Sequence, residues 1–468
     1  MVDKSKIEKN MVRGKRARLF PVLPESKKEE KSTSILLAVF QAVPDLAREV
    51  LSNAGAPVGK RSQVTCFTEV SFKGASPKSR PDGLIVISSG GKDWVALVET
   101  KVGRSDLTAQ QVEEYLDLAK EQGFDAVITI SNQFAALPSH HPIKVSKTKT
   151  RSVGLFHFSW LSIISRSILL IDSKTVEDVE QAYMLREMIR FLEDDASGVS
   201  SGMRMSANWR DTCEAVHQGA QLKKSDDAVS EAIADWHQLT RYLSIQLSIK
   251  LGQPCVAWMP KKHVSDSAVR LSDDVNTVVV KNEVSLELDV PNTVGRVNAT
   301  VSLLRKTLDL SVNVETPKDV KQQRAAINFV LSQFKQSSVE DLMVRVNWPR
   351  RVASTELPLQ KALDEDNKKS LIPENFKDLP SSIDLIRVID LGGKLKTTNG
   401  LPEIAETEIT RFYQDAVQGL EKWVRKAPKV KQETKNDPPF HQPESVIQVL
   451  EDEARDTTHT FRFGQHTF

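Results

Sequence analysis

The feature that most constrains the fold is a series of short apolar runs between residues 34 and 165. SILLAVFQAVPDLAREVLSNAG has apolar residues at helical spacing and ends at Gly55, with a kink or break expected at Pro44. QVTCFTEVSF, DGLIVIS and DWVALVETK follow, each rich in β-branched or aromatic residues and bounded by Gly, Pro and Ser. TAQQVEEYLDLAKEQG then has the pattern of an amphipathic helix, and DAVITIS and SVGLFHFSWL those of two further strands. The order αβββαβ predicts an α/β domain with a mixed central sheet flanked by helices.

The whole chain divides into four segments. Residues 1–33 are rich in Lys, Arg and Glu and predict a flexible basic N-terminal arm. Residues 34–200 form the first predicted domain, with SGVSSG after it as the linker. In residues 204–426, helical stretches and alternating strands such as VSLELDV and LDLSVNV predict a separate α+β domain with an antiparallel sheet, which would select the substrate or a partner. Residues 427–468 contain Pro, His and charge without a clear period and predict a disordered tail.

Composition excludes several classes of protein. The three cysteines, Cys66, Cys213 and Cys255, lie far apart with no Cys-x-x-Cys pair, so neither a disulfide framework nor a zinc ribbon is indicated and we expect a reducing, cytoplasmic compartment. No window approaches 18 uninterrupted apolar residues, and we expect no membrane span. The net charge of the 468 residues is only +2, so a polyanion would have to be bound by local basic patches.

The turn between two predicted strands determines where their charged ends meet. SSGGKD contains Gly90 and Gly91, a pair that accepts the positive φ angles of a tight type I′ turn. Counting outward from this pair along both strands places Asp82 directly opposite Glu99, with Lys101 on the same face. A four-residue loop gives the same register, whereas a three-residue loop would shift it by one residue.

Two opposed carboxylates and a lysine suggest hydrolysis of a phosphodiester. Like charges at this separation raise the pKa of one carboxyl unless a cation relieves them, and hard oxygen ligands are those that Mg²⁺ prefers. Lys101 could orient or help to deprotonate a water, or stabilise charge on a phosphate. The structural alternative is that Asp82 only ends a strand and that Glu99 and Lys101 form a solvated edge.

In this order and spacing, three short elements resemble the PD-(D/E)XK nuclease superfamily, which has a restriction-endonuclease-like fold. Residues 81–82 (PD) match its Pro-Asp element and residues 99–101 (ETK) its Glu-x-Lys element. Residues 111–115 (QVEEY) look like the Gln-x-x-x-Tyr element of its RecB-like branch. The resemblance covers residues 34–165.

The resemblance implies a role for each matching residue. Asp82 and Glu99 would ligate Mg²⁺ or Mn²⁺, with the carbonyl of Thr100 as a further ligand. Lys101 would activate or position the attacking water.

The resemblance also implies roles outside these elements. Gln111 and Tyr115 would orient the site and the substrate backbone. An additional acid often comes from the first helix or the first strand of this fold. Glu49 and Glu69 are the candidates, and we prefer Glu69 because its strand should neighbour that of Asp82.

The helical element has a second interpretation. Gln111 and Tyr115 share a helix face at i and i+4. However, Thr108 and Gln111 also have the spacing of a capping box, in which Gln111 would only satisfy the start of the helix, and Tyr115 could be packing.

A basic segment follows the fourth predicted strand. HHPIKVSKTKTR contains Lys144, Lys147, Lys149 and Arg151 with no acid among them. Such a loop could bind phosphates and make binding depend strongly on salt. A solvated run of charge is the equal alternative.

Together, these features predict a metal-dependent nuclease acting on DNA. The family suggests a setting in bacterial antiviral defence, restriction or DNA repair, and a homodimer or a partner protein of a multi-component system would be compatible with it. One alternative is a catalytically inactive nucleic-acid-binding or scaffold protein that keeps the fold. Another is a nuclease that cleaves RNA, because metal-assisted hydrolysis does not itself require a deoxyribose.

Overall fold

The computed structural model describes residues 10–24, 26–73, 80–103, 105, 107–199, 202–317, 319–334 and 339–424. The predicted tail at 427–468 lies outside the described residues, as do residues 1–9 of the predicted arm and residues 200 and 201 of the predicted linker. Within the described ranges the strands form two sheets, each packed against helices.

The first sheet has six strands, which lie side by side in chain order. They are β1 (Met11–Arg16), β2 (Gln63–Phe72), β3 (Gly83–Ser89), β4 (Lys92–Thr100), β5 (Ala126–Ser131) and β6 (Gly154–Ser159). Strands β1 to β4 pair antiparallel, whereas β4, β5 and β6 run parallel. The predicted α/β class with a mixed central sheet is confirmed.

Helices cover both faces of this sheet. They are α1 (Lys28–Ala42), α2 (Pro44–Leu51), α3 (Ala109–Gln122), α4 (Trp160–Asp172) and α5 (Val179–Glu193). Ile85 and Ile87 of β3 share one buried cluster with α1, α2, α4 and α5. Leu84 and Val86 share another with α3. Side chains on both faces of the sheet are buried, so successive residues of the central strands are mostly apolar. These strands therefore appear in the sequence as nearly continuous apolar runs.

The N-terminal segment differs from the expected flexible arm. Residues 11–16 form β1, which pairs with β2 at the edge of the sheet, and α1 begins at Lys28. All but the first residue of β1 have exposed side chains, so backbone pairing holds the strand without the apolar alternation that would reveal it in the sequence. The break expected at Pro44 is confirmed, because α2 begins there.

The second half of the chain is built on an antiparallel sheet. Its strands are β7 (Val256–Ala257), β8 (Glu283–Asp289), β9 (Val297–Ser302), β10 (Thr307–Glu315), β11 (Met343–Asn347), β12 (Thr355–Pro358) and β13 (Ser382–Asp390). They lie in the order β12-β11-β13-β10-β9-β8-β7 with every pair antiparallel. Its helices are α6 (Ala207–His217), α7 (Asp227–Leu251), α8 (Lys261–Ser265), α9 (Ser267–Lys281), α10 (Gln323–Leu331), α11 (Leu359–Ala362) and α12 (Gly400–Phe412). The predicted α+β class is confirmed.

The segment after β5 connects the two halves. The ring of Phe134 packs edge-on against that of Tyr242 of α7, with centroids 5.6 Å apart. The backbone N–H of Phe134 donates to Gln238 Oε1 at 3.1 Å, and His140 Nε2 lies 2.9 Å from the carbonyl oxygen of Val264. Within the described ranges, none of the helices has the length and apolarity needed to cross a bilayer.

Candidate functional site

The hairpin of β3 and β4 has the predicted register. Ser89 pairs with Lys92, and the glycines between them have φ angles of +58° and +78°. At the other end of the hairpin Gly83 pairs with Val98, so Asp82, one residue further out, lies opposite Glu99. The two-residue turn therefore brings the two carboxyl groups together where the strands end.

A third carboxyl group comes from α1. Carboxylate oxygens of Glu29, Asp82 and Glu99 all lie within 4.8 Å of one another, so these three side chains could hold a metal ion. Thr33, one turn further along α1, is buried with its hydroxyl 2.6 Å from that of Thr100. This contact fixes the start of α1 against the end of β4. Glu29 falls within the segment expected to be a flexible arm and is not among the acids predicted from the sequence.

Thr100 also holds Asp82 in place. Its backbone N–H and its hydroxyl both donate to Asp82 Oδ2, at 2.9 and 3.1 Å. Thr100 is fully buried and faces Thr33 of α1, whereas Glu99 faces α3, as the period of two in a strand requires. The carbonyl oxygen of Thr100, expected as a metal ligand, accepts a hydrogen bond from Lys101 Nζ at 3.1 Å.

Lys101 lies among the three carboxyl groups. Its Nζ is 2.5 Å from Glu99 Oε1 and 3.2 Å from Glu29 Oε1. The indole N–H of the buried Trp160 donates to the backbone carbonyl of Lys101 at 2.9 Å and fixes the main chain there. One ammonium group therefore partly neutralises the acidic group, and Trp160 is a supporting residue that the motif did not reveal.

The helix α3 brings Gln111 and Tyr115 to the same place. Gln111 Nε2 donates to Glu99 Oε1 at 2.6 Å and lies 3.4 Å from the hydroxyl of Tyr115. Tyr115 in turn donates to the carbonyl oxygen of Arg80 at 3.3 Å. Thr108 does cap the helix, since its hydroxyl accepts from the backbone N–H of Gln111 at 3.2 Å. The cap thus uses the main chain of Gln111 and leaves its side chain free to contact Glu99.

Burial and mutual repulsion set the protonation of these groups. Burial and the charge of Glu99 raise the pKa of Asp82 to about 8. Burial also raises the pKa of Glu99 against the opposing charge of Lys101. Burial disfavours the charged form of Lys101, but Glu99, Asp82 and Glu29 together outweigh it and raise the pKa of Lys101 above its usual value. Glu99 Oε2 is buried without a hydrogen-bond partner among the described residues. The three carboxyl groups therefore have more oxygen atoms to hydrogen-bond or neutralise than Lys101 alone can serve.

The two acids considered as the additional ligand lie elsewhere. Glu69, the preferred one, has its carboxylate 2.8 Å from Arg80, 3.1 Å from Lys15 and 3.3 Å from Arg13. Burial opposes its ionisation, but Lys15 and Arg80 hold the pKa of Glu69 below its usual value. Glu49 forms an ion pair with Arg166. The three-carboxylate group contains Glu29 instead.

The predicted basic segment lies partly against α3. Lys149 Nζ is 2.6 Å from Asp117 and 3.7 Å from Glu113, both on α3. Lys144, Lys147 and Arg151 are exposed and make no ion pair within the part of the chain that the structure describes. Of the four predicted basic residues, Lys149 is therefore neutralised locally and three remain available to a ligand.

Comparison with models of protein families, with curated proteins and with solved structures gives no match for this chain. An account of its function must therefore depend on the chemistry of the residues that the fold brings together.

Proposed function

We propose that this chain is a metal-dependent nuclease of the PD-(D/E)XK type that hydrolyses phosphodiester bonds of DNA. The observation that carries the proposal is the grouping of Glu29, Asp82 and Glu99 within 4.8 Å, with Lys101 Nζ 2.5 Å from Glu99. Three carboxylates beside one lysine, at the end of two central strands, are a costly arrangement for stability alone, because buried like charges repel.

The donor set fits a hard divalent cation. Carboxylate oxygens are the ligands that Mg²⁺ and Mn²⁺ prefer in proteins. The unpartnered Oε2 of Glu99 is the kind of buried polar atom that a bound ion would satisfy. Glu29, Asp82 and Glu99 would hold the ion. When bound, it would polarise the phosphate and make a coordinated water more acidic.

Lys101 would act as a cation and not as a base. Its raised pKa keeps it protonated near neutral pH. Hydrolysis joins a water oxygen to phosphorus and breaks the bond to a sugar oxygen, so negative charge develops on the phosphate and the leaving oxygen. An ammonium group fixed by Glu99 and Glu29 would stabilise that charge and orient the water.

Gln111 and Tyr115 would position the reacting groups. Gln111 donates to Glu99 Oε1, the oxygen that also accepts from Lys101, and so orients that carboxyl group. Tyr115 contacts the main chain of Arg80, two residues before Asp82. The exposed Lys144, Lys147 and Arg151 would contact DNA phosphates away from the acidic group, which makes binding depend on salt.

The proposal is tested by incubating the purified chain with linear, circular and single-stranded DNA and with RNA, in Mg²⁺ or Mn²⁺ against a chelator. We expect metal-dependent cleavage of DNA that falls at least about 100-fold in Asp82→Ala, Glu99→Ala and Lys101→Ala. Lys92→Ala, an exposed lysine at the hairpin turn, is the matched control and should keep full activity.

The other outcomes are distinct. Cleavage that survives all three substitutions would refute this site. Cleavage of RNA alone would make the chain a ribonuclease. Binding of nucleic acid without cleavage under every condition would favour a scaffold or binding protein that keeps the fold. Circular dichroism of each variant establishes that a lost activity is not a lost fold.

A further inference from the structure

A cavity of about 350 Å³ adjoins the acidic group, and Asp82 forms part of its wall. The end of β1 and the segment after it line one side, from Lys15 to Leu23. The rest of the lining comes from Glu30 and Ser34 of α1, from Thr68 and Glu69 of β2, and from Arg80 and Pro81. A ligand in this cavity would therefore lie directly beside the carboxylates.

The cavity wall carries both signs of charge, with a small excess of basic groups. Its four bases are Lys15, Arg16, Arg18 and Arg80, and its three acids are Glu30, Glu69 and Asp82, of which Glu30 is paired with Lys27. Lys15 and Arg80 are both held by Glu69, at 3.1 and 2.8 Å. Arg16 stacks over the ring of Phe67 with its guanidinium carbon 4.8 Å from the ring centroid. Within the described ranges neither Arg16 nor Arg18 makes an ion pair, although both line the cavity and are exposed. Two guanidinium groups thus remain available to bind an anion.

A second part of the wall is apolar. Pro21, Val22, Leu23 and Pro81 line the same cavity, and Val22 is 90% exposed. Val22 therefore contributes little to the core, whereas Pro81 is buried. A ligand that fits both parts of the wall has an anionic group at one end and a flat or apolar group at the other.

We propose that this cavity binds one unpaired nucleotide of the substrate strand, next to the phosphate at the acidic group. Its volume lies at the low end of small-ligand sites and suits a single nucleotide, whereas a base pair would not enter. Arg16 and Arg18 bind the phosphate, and the apolar wall packs on the base. The substrate class is then nucleic acid with a single-stranded end or region, an inference that rests on the proposed function.

Binding of a free nucleotide tests the cavity without cleavage. Deoxyadenosine 5′-monophosphate, deoxyadenosine and inorganic phosphate are titrated calorimetrically into the full chain in chelator, so that no metal ion can mediate binding. We expect the monophosphate to bind more tightly than either fragment, and Arg16→Ala and Arg18→Ala each to weaken it about 10-fold. Arg61→Ala, an exposed arginine at the far end of β2, should leave it unchanged. The assignment is overturned if the monophosphate does not bind, or if it binds equally well to Arg16→Ala and Arg18→Ala. It is also overturned if inorganic phosphate binds as tightly as the monophosphate.

Cleavage then tests the substrate class. We expect duplexes with a single-stranded overhang to be cut in preference to blunt duplexes, and Arg18→Ala to raise KM for the overhang substrate more than it changes kcat. Equal cleavage of blunt duplexes refutes the class. Nucleotide binding that depends on Arg16 and Arg18 without any cleavage would defeat the proposed function alone, whereas cleavage without nucleotide binding would defeat the cavity alone.

Discussion

The side-chain amide of Gln111 donates to Glu99 Oε1 at 2.6 Å, while the backbone N–H of the same residue is capped by Thr108. The two functions of this position are therefore carried by different atoms and different partners. A variant at Thr108 removes the cap and leaves the amide. A variant at Gln111 does the reverse, because its backbone N–H remains.

We expect Thr108→Ala to lower the free energy of unfolding by about 1 kcal/mol and to keep the activity. Gln111→Ala should change stability little and reduce cleavage about 10- to 100-fold, as for a residue that orients a ligand carboxyl group. Urea unfolding and initial rates on one DNA substrate measure both quantities. Equal loss of activity in the two variants would mean that Gln111 acts only through the start of α3.

Glu29 is expected to contribute more to cleavage than Glu69 or Glu49, the two acids that the resemblance suggested. Glu29→Gln removes one of the three carboxylates within 4.8 Å and should reduce cleavage at least about 100-fold. Glu49→Gln, which alters an acid paired with Arg166, should keep the activity. Initial rates over a range of Mg²⁺ concentrations test both. If Glu29→Gln is as active as the unaltered chain, the third ligand is not on α1.

These residues show what the sequence could predict. Gly90 and Gly91 set the hairpin register, because a two-residue turn and the period of two leave one pairing. From that register the positions of Asp82, Glu99 and Lys101 follow. These relations are local, since each depends on counting along two adjacent strands.

The third acid depends on relations that are not local. Lys27 at the N-cap of α1 makes no side-chain capping bond, so nothing in the sequence marks where the helix begins or that Glu29 belongs to it. Glu69 has a φ angle of +52°, at an irregularity in the pairing of β1 with β2. Glu69 was preferred because its strand should neighbour that of Asp82, and β2 does pair with β3. At the irregularity, however, the side chain of Glu69 contacts Arg13, Lys15 and Arg80.

Neutralising Asp82 should stabilise the metal-free protein. The pKa of Asp82 is raised to about 8 from a usual value of 3.8, so the folded chain holds a proton that the unfolded chain releases. This carboxyl group therefore lowers stability progressively as the pH rises from about 4 to 8. Asp82→Asn removes the penalty and keeps an oxygen that accepts from Thr100. We expect a higher Tm in chelator at pH 7 than for the unaltered chain.

Added metal should reverse that ranking. Mg²⁺ at 100 times its Kd stabilises a folded protein by about 2.7 kcal/mol. We expect Mg²⁺ to raise the Tm of the unaltered chain but not that of Asp82→Asn. Glu121→Gln, an exposed acid near the end of α3, controls for the loss of one charge. A lower Tm for metal-free Asp82→Asn, or an equal response to Mg²⁺, would contradict the placement of Asp82 at the metal site.

Two histidines near β5 and β6 are joined through the hydroxyl of Thr129, and their neutral forms give the following hydrogen bonds. His157 Nε2 donates to the carbonyl oxygen of Gln133 at 2.9 Å, so its Nδ1 must accept from the hydroxyl of Thr129 at 2.8 Å. That hydroxyl oxygen then accepts from His141 Nε2 at 2.8 Å, and His141 Nδ1 accepts from the backbone N–H of Ile143. A proton added to either acceptor nitrogen would reverse these bonds, with His141 Nδ1 donating to the carbonyl oxygen of Ile143 at 3.2 Å and the Thr129 hydroxyl to that of Phe156 at 3.4 Å.

Acid should destabilise the protein because these two histidines are buried. Burial lowers the pKa of His141 to about 4, and burial with the nearby His141 lowers the pKa of His157 to about 3. Each depressed pKa contributes stability above about pH 6.5, which is lost at about 1.4 kcal/mol per pH unit as the pH falls toward the folded value. The two histidines together should give a loss of about 2.7 kcal/mol per pH unit. Urea unfolding between pH 6 and 4.5 is measured in Asp82→Asn, because Asp82 itself contributes with the opposite sign over this range. Adding His141→Gln and His157→Gln should flatten the slope while lowering stability at pH 7. An unchanged slope after the two histidine substitutions would assign the acid sensitivity to other groups.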